Sequence, residues 1–190
     1  MADIPLDNIG GEACEPISGL ATDVFIIERK DLATMVDPKD LCGDAPDAAA
    51  TLAELAEIPT PGHTLAAGKH WWKFPFIQES GTVTSTQIGE KKRRLIQNQI
   101  TGQVAGSAPT LLGFMRWVKN KDLVVLVREV GSGNMRQLGS NLISAWAETQ
   151  EHLIEGPMEG QNALNITFMD KQKWAAPIYK GEVVTEVAGG

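Results

Sequence analysis

The side chains that most often perform chemistry are scattered along this chain. His63, His70 and His152 lie far apart, and none belongs to an HExxH pattern or stands beside a cysteine pair, so no zinc site is predicted. Cys14 and Cys42 lack a CxxC spacing, and two cysteines are too few for a disulfide framework. We therefore predict two free thiols in a reducing compartment, and neither a metal nor a cofactor.

Motifs of covalent and phosphate chemistry are missing from the sequence. It contains no GxSxG, no GxxxxGK[ST] and no GxGxxG that follows a strand, and Gly131-Ser-Gly133 belongs to a predicted hairpin. Glu148 and Glu151 form an acid pair, but carboxylates at this spacing are typical of a solvated face. Because no constellation of reactive groups converges, we predict a protein that is not an enzyme.

The sequence contains one cluster of basic residues, Lys91, Lys92, Arg93 and Arg94. A nucleic-acid or phosphate contact is one interpretation. No aromatic platform or basic helix accompanies the cluster, however, and the sequence pI is about 5.0. The favoured interpretation is that these four side chains face solvent at the start of a strand, or contact an acidic segment of another copy of the chain.

Charge is distributed unevenly. Residues 1–60 carry thirteen acids and three bases, a balance of −10, and the remaining residues carry fourteen bases and eleven acids, which brings the total to −7. Such a distribution favours head-to-tail docking of copies through complementary surfaces. The alternative is that the acids are solvated loop residues that keep the chain soluble.

The length of 190 residues and the 43% hydrophobic content predict one domain with a sizeable core. The longest apolar runs, at residues 24–27 and 123–127, are far shorter than the roughly 20 residues of a membrane-spanning helix. The first residues lack the pattern of a signal peptide. We expect the protein to be made and kept in the cytoplasm, or released from it by lysis.

The first third of the chain predicts little regular structure. Residues 1–20 read as an N-terminal arm, and residues 22–28 as a buried strand. Residues 31–68 form a long excursion rich in Ala, Pro, Gly and Asp, with a short helix capped by Asp47. The apolar face of that helix, Leu52 and Leu55, is narrow, so we predict that the excursion packs on a neighbouring subunit.

Residues 69–187 predict a β core. Its expected strands are residues 71–77, where Pro75 indicates an edge strand or a bulge, then 82–88, 91–104, 123–130, 135–138, 164–168 and 180–187, before a tail at 188–190. Glycines in Gly131–Asn134 predict a hairpin. Residues 145–152 fit a helical turn and a strand equally well. The resulting fold class is mainly β (α+β), an antiparallel sandwich or barrel.

One helix is predicted on that core, at residues 108–119. Ser107 is a plausible cap, and Pro109 falls in the first turn, where its missing N–H costs little. The buried stripe has the i, i+3, i+4, i+7 spacing and consists of Leu111, Phe114, Met115 and Val118. About three turns are marginal in isolation, so this helix is expected to lie on the sheet.

Three stretches of the sequence carry a resemblance to a known family. They are LLGFMRWVKNKDLVVLVREVGSG, NITF and APIYKGEV, within residues 105–187. This part of the chain resembles the major tail tube proteins of phages that infect Bacteroidetes-type bacteria. We count Tyr179, in the third stretch, among the candidate contacts between subunits, together with Leu52, Leu55 and the cluster at residues 91–94.

The resemblance implies a virion structural protein without a cofactor. Its subunits form hexameric rings whose inner strands join into one barrel, and the rings stack through long loops and terminal arms. The partners implied are copies of the chain, other tail or head-to-tail connector proteins, and a tape measure protein or DNA that passes an acidic lumen without specific binding. The alternatives are a head-completion, connector or capsid-decorating protein, or a monomeric β-barrel that binds a ligand.

Overall fold

The computed structural model describes residues 18–42 and 47–186. Its twelve strands are β1 (Leu20–Glu28), β2 (Leu32–Thr34), β3 (Glu57–Ile58), β4 (Thr64–Leu65), β5 (Trp72–Pro75), β6 (Thr82–Ile88), β7 (Leu95–Ala105), β8 (Leu123–Glu129), β9 (Met135–Leu138), β10 (Trp146–Ile154), β11 (Asn162–Gln172) and β12 (Ile178–Tyr179). The α-helix of these ranges, α1, spans Pro109–Val118, and two 3-10 turns span Arg29–Asp31 and Ala53–Leu55. The predicted arm (residues 1–20, apart from 18–20), Cys14 and the tail at 188–190 lie outside the described residues.

Two sheets face each other. The large sheet has the strand order β3-β12-β9-β8-β1-β5, and the four-stranded sheet has the order β10-β11-β7-β6. A small third sheet pairs β2 with β4. The described strand pairs are antiparallel, except that β12 runs parallel to β3. The predicted fold class, a mainly β sandwich with one flanking helix, is confirmed.

The continuous apolar run in β8 is explained by burial on both faces of the large sheet. Val125 and Val127 point into the core between the two sheets, whereas Val124 and Leu126 belong to a second apolar cluster on the opposite face. A strand that is covered on both sides gains from apolar side chains at every position. The large sheet is therefore a middle layer, and the four-stranded sheet covers one of its sides.

The second face is covered by the excursion at residues 31–68, which corrects our prediction for this segment. Leu32 and Ile58 pack with Trp71 and Tyr179 in the second cluster, and β3 extends the large sheet beside β12. The segment therefore buries part of its apolar surface on its own chain, although Leu41 and Leu52 stay exposed. The β core therefore begins at Leu20, and not at residue 69.

The helix predicted after Asp47 is wrong. In its place, the Asp40 N–H donates to the Asp47 carbonyl and the Ala49 N–H donates to the Asp40 carbonyl, and the chain then makes a single 3-10 turn. The Ala50 N–H donates to the Glu54 side chain at 2.7 Å. These contacts satisfy the backbone without a helix, and so tertiary pairing overrides the propensity of the alanines.

A buried histidine fastens the excursion to the large sheet. The Val36 N–H donates to His63 Nδ1 at 3.2 Å, so the proton of the neutral ring lies on Nε2, which donates to Gln137 Oε1 at 2.8 Å. The His63 backbone N–H donates to the Tyr179 hydroxyl at 3.2 Å, and that hydroxyl donates to the Glu182 carbonyl. Burial lowers the pKa of His63, because the charged ring would lose its hydration.

This histidine predicts a pH dependence of stability. Since its pKa in the folded chain lies below the ordinary value of 6.5, the unfolded chain binds more protons below that pH. We expect the free energy of unfolding to fall as the pH drops through this range, and the His63→Gln variant to lack this part of the slope. Urea denaturation of both proteins between pH 7.5 and about 5 measures the difference. Parallel profiles for the two proteins would contradict the prediction.

The last predicted strand, residues 180–187, is also wrong over residues 180–186, and residue 187 lies outside the described residues. Only Ile178 and Tyr179 form β12, and the Lys180 N–H then donates to the Ile58 carbonyl. Gly181 follows in close contact with Gly62 and the Tyr179 ring. The chain bends there, Val183 packs against the second cluster, and the Val184 carbonyl accepts a hydrogen bond from the N–H of Trp71, the residue before β5.

The helix α1 lies on the rim of the core between the sheets. Leu111 and Val118 are buried in that core, and Phe114 and Met115 pack half-buried against it. Pro109 occupies the first turn. The Ser107 cap is not observed, because Ala108 is the N-cap residue and the Ser107 hydroxyl instead accepts a hydrogen bond from the side chain of Asn162.

Two glycines form a matched test of the packing. A Cβ at Gly102 in β7 would overlap the buried ring of Phe76, whereas a Cβ at Gly113 in α1 would meet nothing within 4 Å. We expect Gly102→Ala to destabilise the protein by about 2 kcal/mol through overpacking. Gly113→Ala should stabilise it by up to about 1 kcal/mol, because alanine favours a helix. Thermal unfolding measures both, and equal effects of the two changes would contradict this account.

Candidate assembly surface

The four-stranded sheet ends in two long strands that have a free side. Within residues 18–42 and 47–186, β6 pairs only with β7, and β10 pairs only with β11. At alternate residues, the two edges direct unpaired backbone N–H and C=O groups to the free side, along the seven residues of β6 and the nine residues of β10. Free edges of this length are a template on which another strand can pair.

The β6 edge carries none of the features that usually prevent such pairing. Thr82–Ile88 contains no charge, no proline and no glycine, and its register with β7 is continuous. The edge of the large sheet is different, because β5 contains Lys73 and Pro75 and the neighbouring Trp71 N–H is already paired. Pro75 thus marks an edge strand, as predicted. The β6 edge therefore lacks the protection that the β5 edge has.

The β10 edge has a local irregularity. Its register with β11 shifts between Ala147 and Thr149, and the Trp146 indole N–H donates to Glu148 at 2.6 Å beside this bulge. Bulges are one of the means by which edge strands restrict pairing. Beyond the bulge the register is continuous from Thr149 to Ile154, so six residues remain regular. Residues 145–152, which fit a helix or a strand equally well, lie mostly in this strand.

The outer face of the four-stranded sheet, opposite the core, is polar over much of its area and carries few charges. One row crosses all four strands as Thr82, Thr101, Thr167 and Thr149, and the hydroxyls of Thr101 and Thr167 are 3.0 Å apart. By register, the same face carries Thr84, Thr86, Gln97, Gln99, Gln103 and Asn165, the charged residues Glu151 and Lys171, and the apolar residues Ile88, Leu95, Trp146, Leu153 and Met169. This face offers hydroxyls and amides to whatever lies against it.

A buried polar network on the inner side holds this sheet to the rest of the molecule. Asp170 in β11 accepts hydrogen bonds from the Asn98 amide at 2.8 Å and from the Gly139 N–H at 2.6 Å. Asn98 in turn accepts from the Ser85 hydroxyl at 2.6 Å and from the Ala176 N–H at 2.9 Å. Burial raises the pKa of the Asp170 carboxyl. The network joins β6, β7 and β11 to two loops of the large sheet.

The predicted contact residues do not form one surface. Leu52 is exposed and Leu55 half-buried, on the 3-10 turn that covers the far face of the large sheet. Tyr179 is 2% exposed, which corrects its assignment as a contact between subunits: its ring packs in the second cluster of its own chain. The basic cluster at residues 91–94 is exposed, in the turn between β6 and β7.

Sequence reasoning did not single out the edge of β6 or the row of threonines. The alternation of Thr82–Ile88 did predict a strand with one solvent face. Whether such a strand is central or at an edge depends on its partners, and β7 is the only one the described chain supplies. The signal that could have identified this edge is a seven-residue strand without any charge or proline.

The described residues contain no group of three or more His, Cys, Asp or Glu side chains placed to hold a metal ion. Two of the three histidines act in other ways: His63 is buried in the network above, and the His152 ring contacts the Gly106 carbonyl at 3.0 Å. Cys42 is an exposed free thiol.

The helices of the described ranges all lack the length and apolar character needed to cross a membrane. Comparison of the chain with protein-family models, with curated proteins and with solved structures gave no match.

Proposed function

We propose that the chain is a non-enzymatic virion structural protein, a subunit of a phage tail tube whose copies join edge to edge into rings. The observation that supports this most directly is the unprotected β6 edge at one side of a sheet whose other side, β10, is also free. A single chain with two such edges lowers its free energy by pairing them with other copies.

The direction of the strands supports closure into a ring. Every pair in the four-stranded sheet is antiparallel, and the number of strands is even, so β6 runs opposite to β10. If the β6 edge of one copy meets the β10 edge of the next, the joined sheet is antiparallel throughout. Such a contact is heterologous, and it closes when the rotation between copies completes a circle. The ring then has no free edge. The resemblance of residues 105–187 implies six copies.

In this arrangement the outer face of the four-stranded sheet lines a channel. Threonine hydroxyls and amide groups form much of this wall, beside a few apolar side chains. The resemblance implies an acidic lumen. A wall with few cations releases few counterions from DNA, so a passing duplex is not retained. The partners are other copies, connector and tail proteins, and a tape measure protein or DNA in the channel, and the location is the virion.

The alternatives make different demands on the structure. A head-completion, connector or capsid-decorating protein would use the same edges without stacked rings. A ligand-binding barrel needs an interior cavity, but Ile100, Ile166 and Phe168 fill the space between the sheets. A surface cleft of about 410 Å³ between β5 and α1, lined by Trp72 and Trp117 among others, is the feature that favours a ligand-binding role.

Negative-stain electron microscopy of the purified full chain over rising concentration tests the proposal. We expect closed rings, and at higher concentration hollow tubes. A protein that stays monomeric at several milligrams per millilitre would refute the ring and move attention to the cleft between β5 and α1. Rings that never stack would favour the connector or capsid alternatives.

A further inference from the structure

The two hairpins of the four-stranded sheet point in opposite directions. Ile88 pairs with Leu95 at one end of the sheet, next to the β6–β7 turn, whereas Ile154 pairs with Asn162 at the other end, next to the β10–β11 turn. The eleven residues of β7 span about 35 Å between these ends at the usual rise per residue. Each copy therefore presents one hairpin tip at each end of its sheet.

The β6–β7 tip, residues 89–94, is basic. It contains Lys91, Lys92, Arg93 and Arg94 against the single acid Glu90, and all six residues are exposed. Eight ion pairs join residues of the described chain, and none includes a member of this tip. The Arg94 guanidinium donates to the uncharged side chain of Gln87. The positive charge of this tip is thus not neutralised by the described part of its own chain.

The β10–β11 tip, residues 155–161, is acidic and partly apolar. It carries Glu155 and Glu159 and no base, and Glu151 lies on the strand that leads to it. Met158 at its apex is fully exposed, and Ile154 at its base is 62% exposed. Neither glutamate of the tip has an ion-pair partner among the described residues. The tip therefore combines unneutralised negative charge with an apolar contact residue.

By contrast, six of the eight acids that the structure describes within residues 1–60 form ion pairs within their own chain, including Glu54 with Lys39. Lys73, Lys69, Lys173 and Lys180 of the β core pair with Asp23, Asp31, Asp40 and Glu57, and Glu28 pairs with both Lys30 and Lys121. The charges of these paired carboxylates are already neutralised by lysines of their own chain. These carboxylates are therefore a poorer match for an incoming basic tip than the acidic tip is.

We propose that the basic β6–β7 tip of one copy docks end to end on the acidic β10–β11 tip of another, so that a second copy of this chain is the partner of both tips. The inference rests on the proposed ring. When the four-stranded sheets lie parallel to the ring axis, all basic tips lie on one face of the ring and all acidic tips on the opposite face. Complementary charge then sets the polarity of stacking, since turning one ring over would oppose like charges. Met158 adds apolar contact at the centre.

The docking contact responds to salt differently from the ring contact. Ion pairs at exposed tips are screened when the Debye length falls from about 10 Å at 0.1 M salt to about 4 Å at 0.5 M. Backbone hydrogen bonds between β6 and β10 do not depend on such screening. We expect tubes to separate into intact rings as salt rises.

Charge reversal at the tips tests the inference. The first variant carries Lys91→Glu, Lys92→Glu, Arg93→Glu and Arg94→Glu, so both of its tips are acidic. The second carries Glu155→Lys and Glu159→Lys, so both of its tips are basic. Each variant alone should form rings but need about a tenfold or higher concentration to form tubes. Mixing preformed rings of the two should restore tubes, because every interface is complementary again.

A control separates tip pairing from a general effect of charge. Arg116→Glu with Lys119→Glu changes two exposed bases in and next to α1, neither of which belongs to a tip, and should leave the tubes intact. Tubes formed by either tip variant alone, or a mixture that fails to stack, would overturn the inference. A salt-sensitive affinity of native rings for duplex DNA that the first variant loses, without a change in stacking, would instead assign the basic tip to nucleic acid. Absence of rings in the native protein is a different result, and it refutes the proposed function itself.

Discussion

Two proline variants in β6, Thr84→Pro and Gln87→Pro, are expected to differ. One of them should abolish ring formation while the subunit stays folded. Backbone N–H groups along a strand point alternately to its two sides, so one of these N–H groups faces β7 and the other faces the free edge. Both side chains are exposed. Proline at the free-edge position removes a donor that only the neighbouring copy uses, whereas proline at the other position breaks the β6–β7 ladder.

The expected effect on assembly is large. A lost hydrogen bond contributes about 0.5–1.5 kcal/mol, and the proline ring also holds the strands apart, so each joint should weaken by about 2 kcal/mol. That corresponds to about a 30-fold weaker contact at each joint, and every joint of a ring carries the loss. Size-exclusion chromatography and negative-stain microscopy measure the rings, and thermal unfolding shows which variant keeps native stability.

The matched control is Thr84→Val, which keeps the backbone N–H and the β-branched shape. It should form rings like the native chain. If both proline variants form rings, or if the valine variant loses them, pairing through the β6 edge is wrong.

Asn98→Ala is expected to cause the largest loss of stability of any single change considered for this protein. The side chain is fully buried, and it donates to Asp170 and accepts from Ala176 and Ser85. Its removal takes one donor from the buried Asp170 carboxyl and one from the Trp174 carbonyl, and it leaves the Ala176 N–H with only the Ser85 hydroxyl at 3.2 Å. An unsatisfied buried polar group costs about 1–3 kcal/mol, so the weakened network predicts a loss of about 3 kcal/mol.

Urea denaturation measures this loss against a control on the same strand. Gln97→Ala changes a half-buried amide on the outer face of β7, where water replaces the lost contacts, and should cost less than about 1 kcal/mol. A loss below about 1 kcal/mol for Asn98→Ala would show that the network does not hold the two sheets together. Because the four-stranded sheet carries both proposed contacts, we also expect Asn98→Ala to reduce assembly.

Much of the local structure follows from the sequence alone. The stripe of Leu111, Phe114, Met115 and Val118 has the helical period, and α1 forms at that place. The glycines at residues 131–133 predict the hairpin, and β8 and β9 do pair across them. Alternation predicted a strand at Thr82–Ile88. These features depend on contacts between residues only a few positions apart, so a short window of sequence contains the physical cause.

The tertiary structure alone decided which residues face outwards and which edges stay free. Asn98 and Asp170 are 72 positions apart, and Tyr179 is buried by a segment more than a hundred residues earlier. Alternation assigns residues to the two faces of a strand, but it does not choose the partner strand, because pairing energies are similar for many arrangements until the core packs. For the same reason, the opposite placement of the basic and acidic tips became apparent only from the register of the four strands.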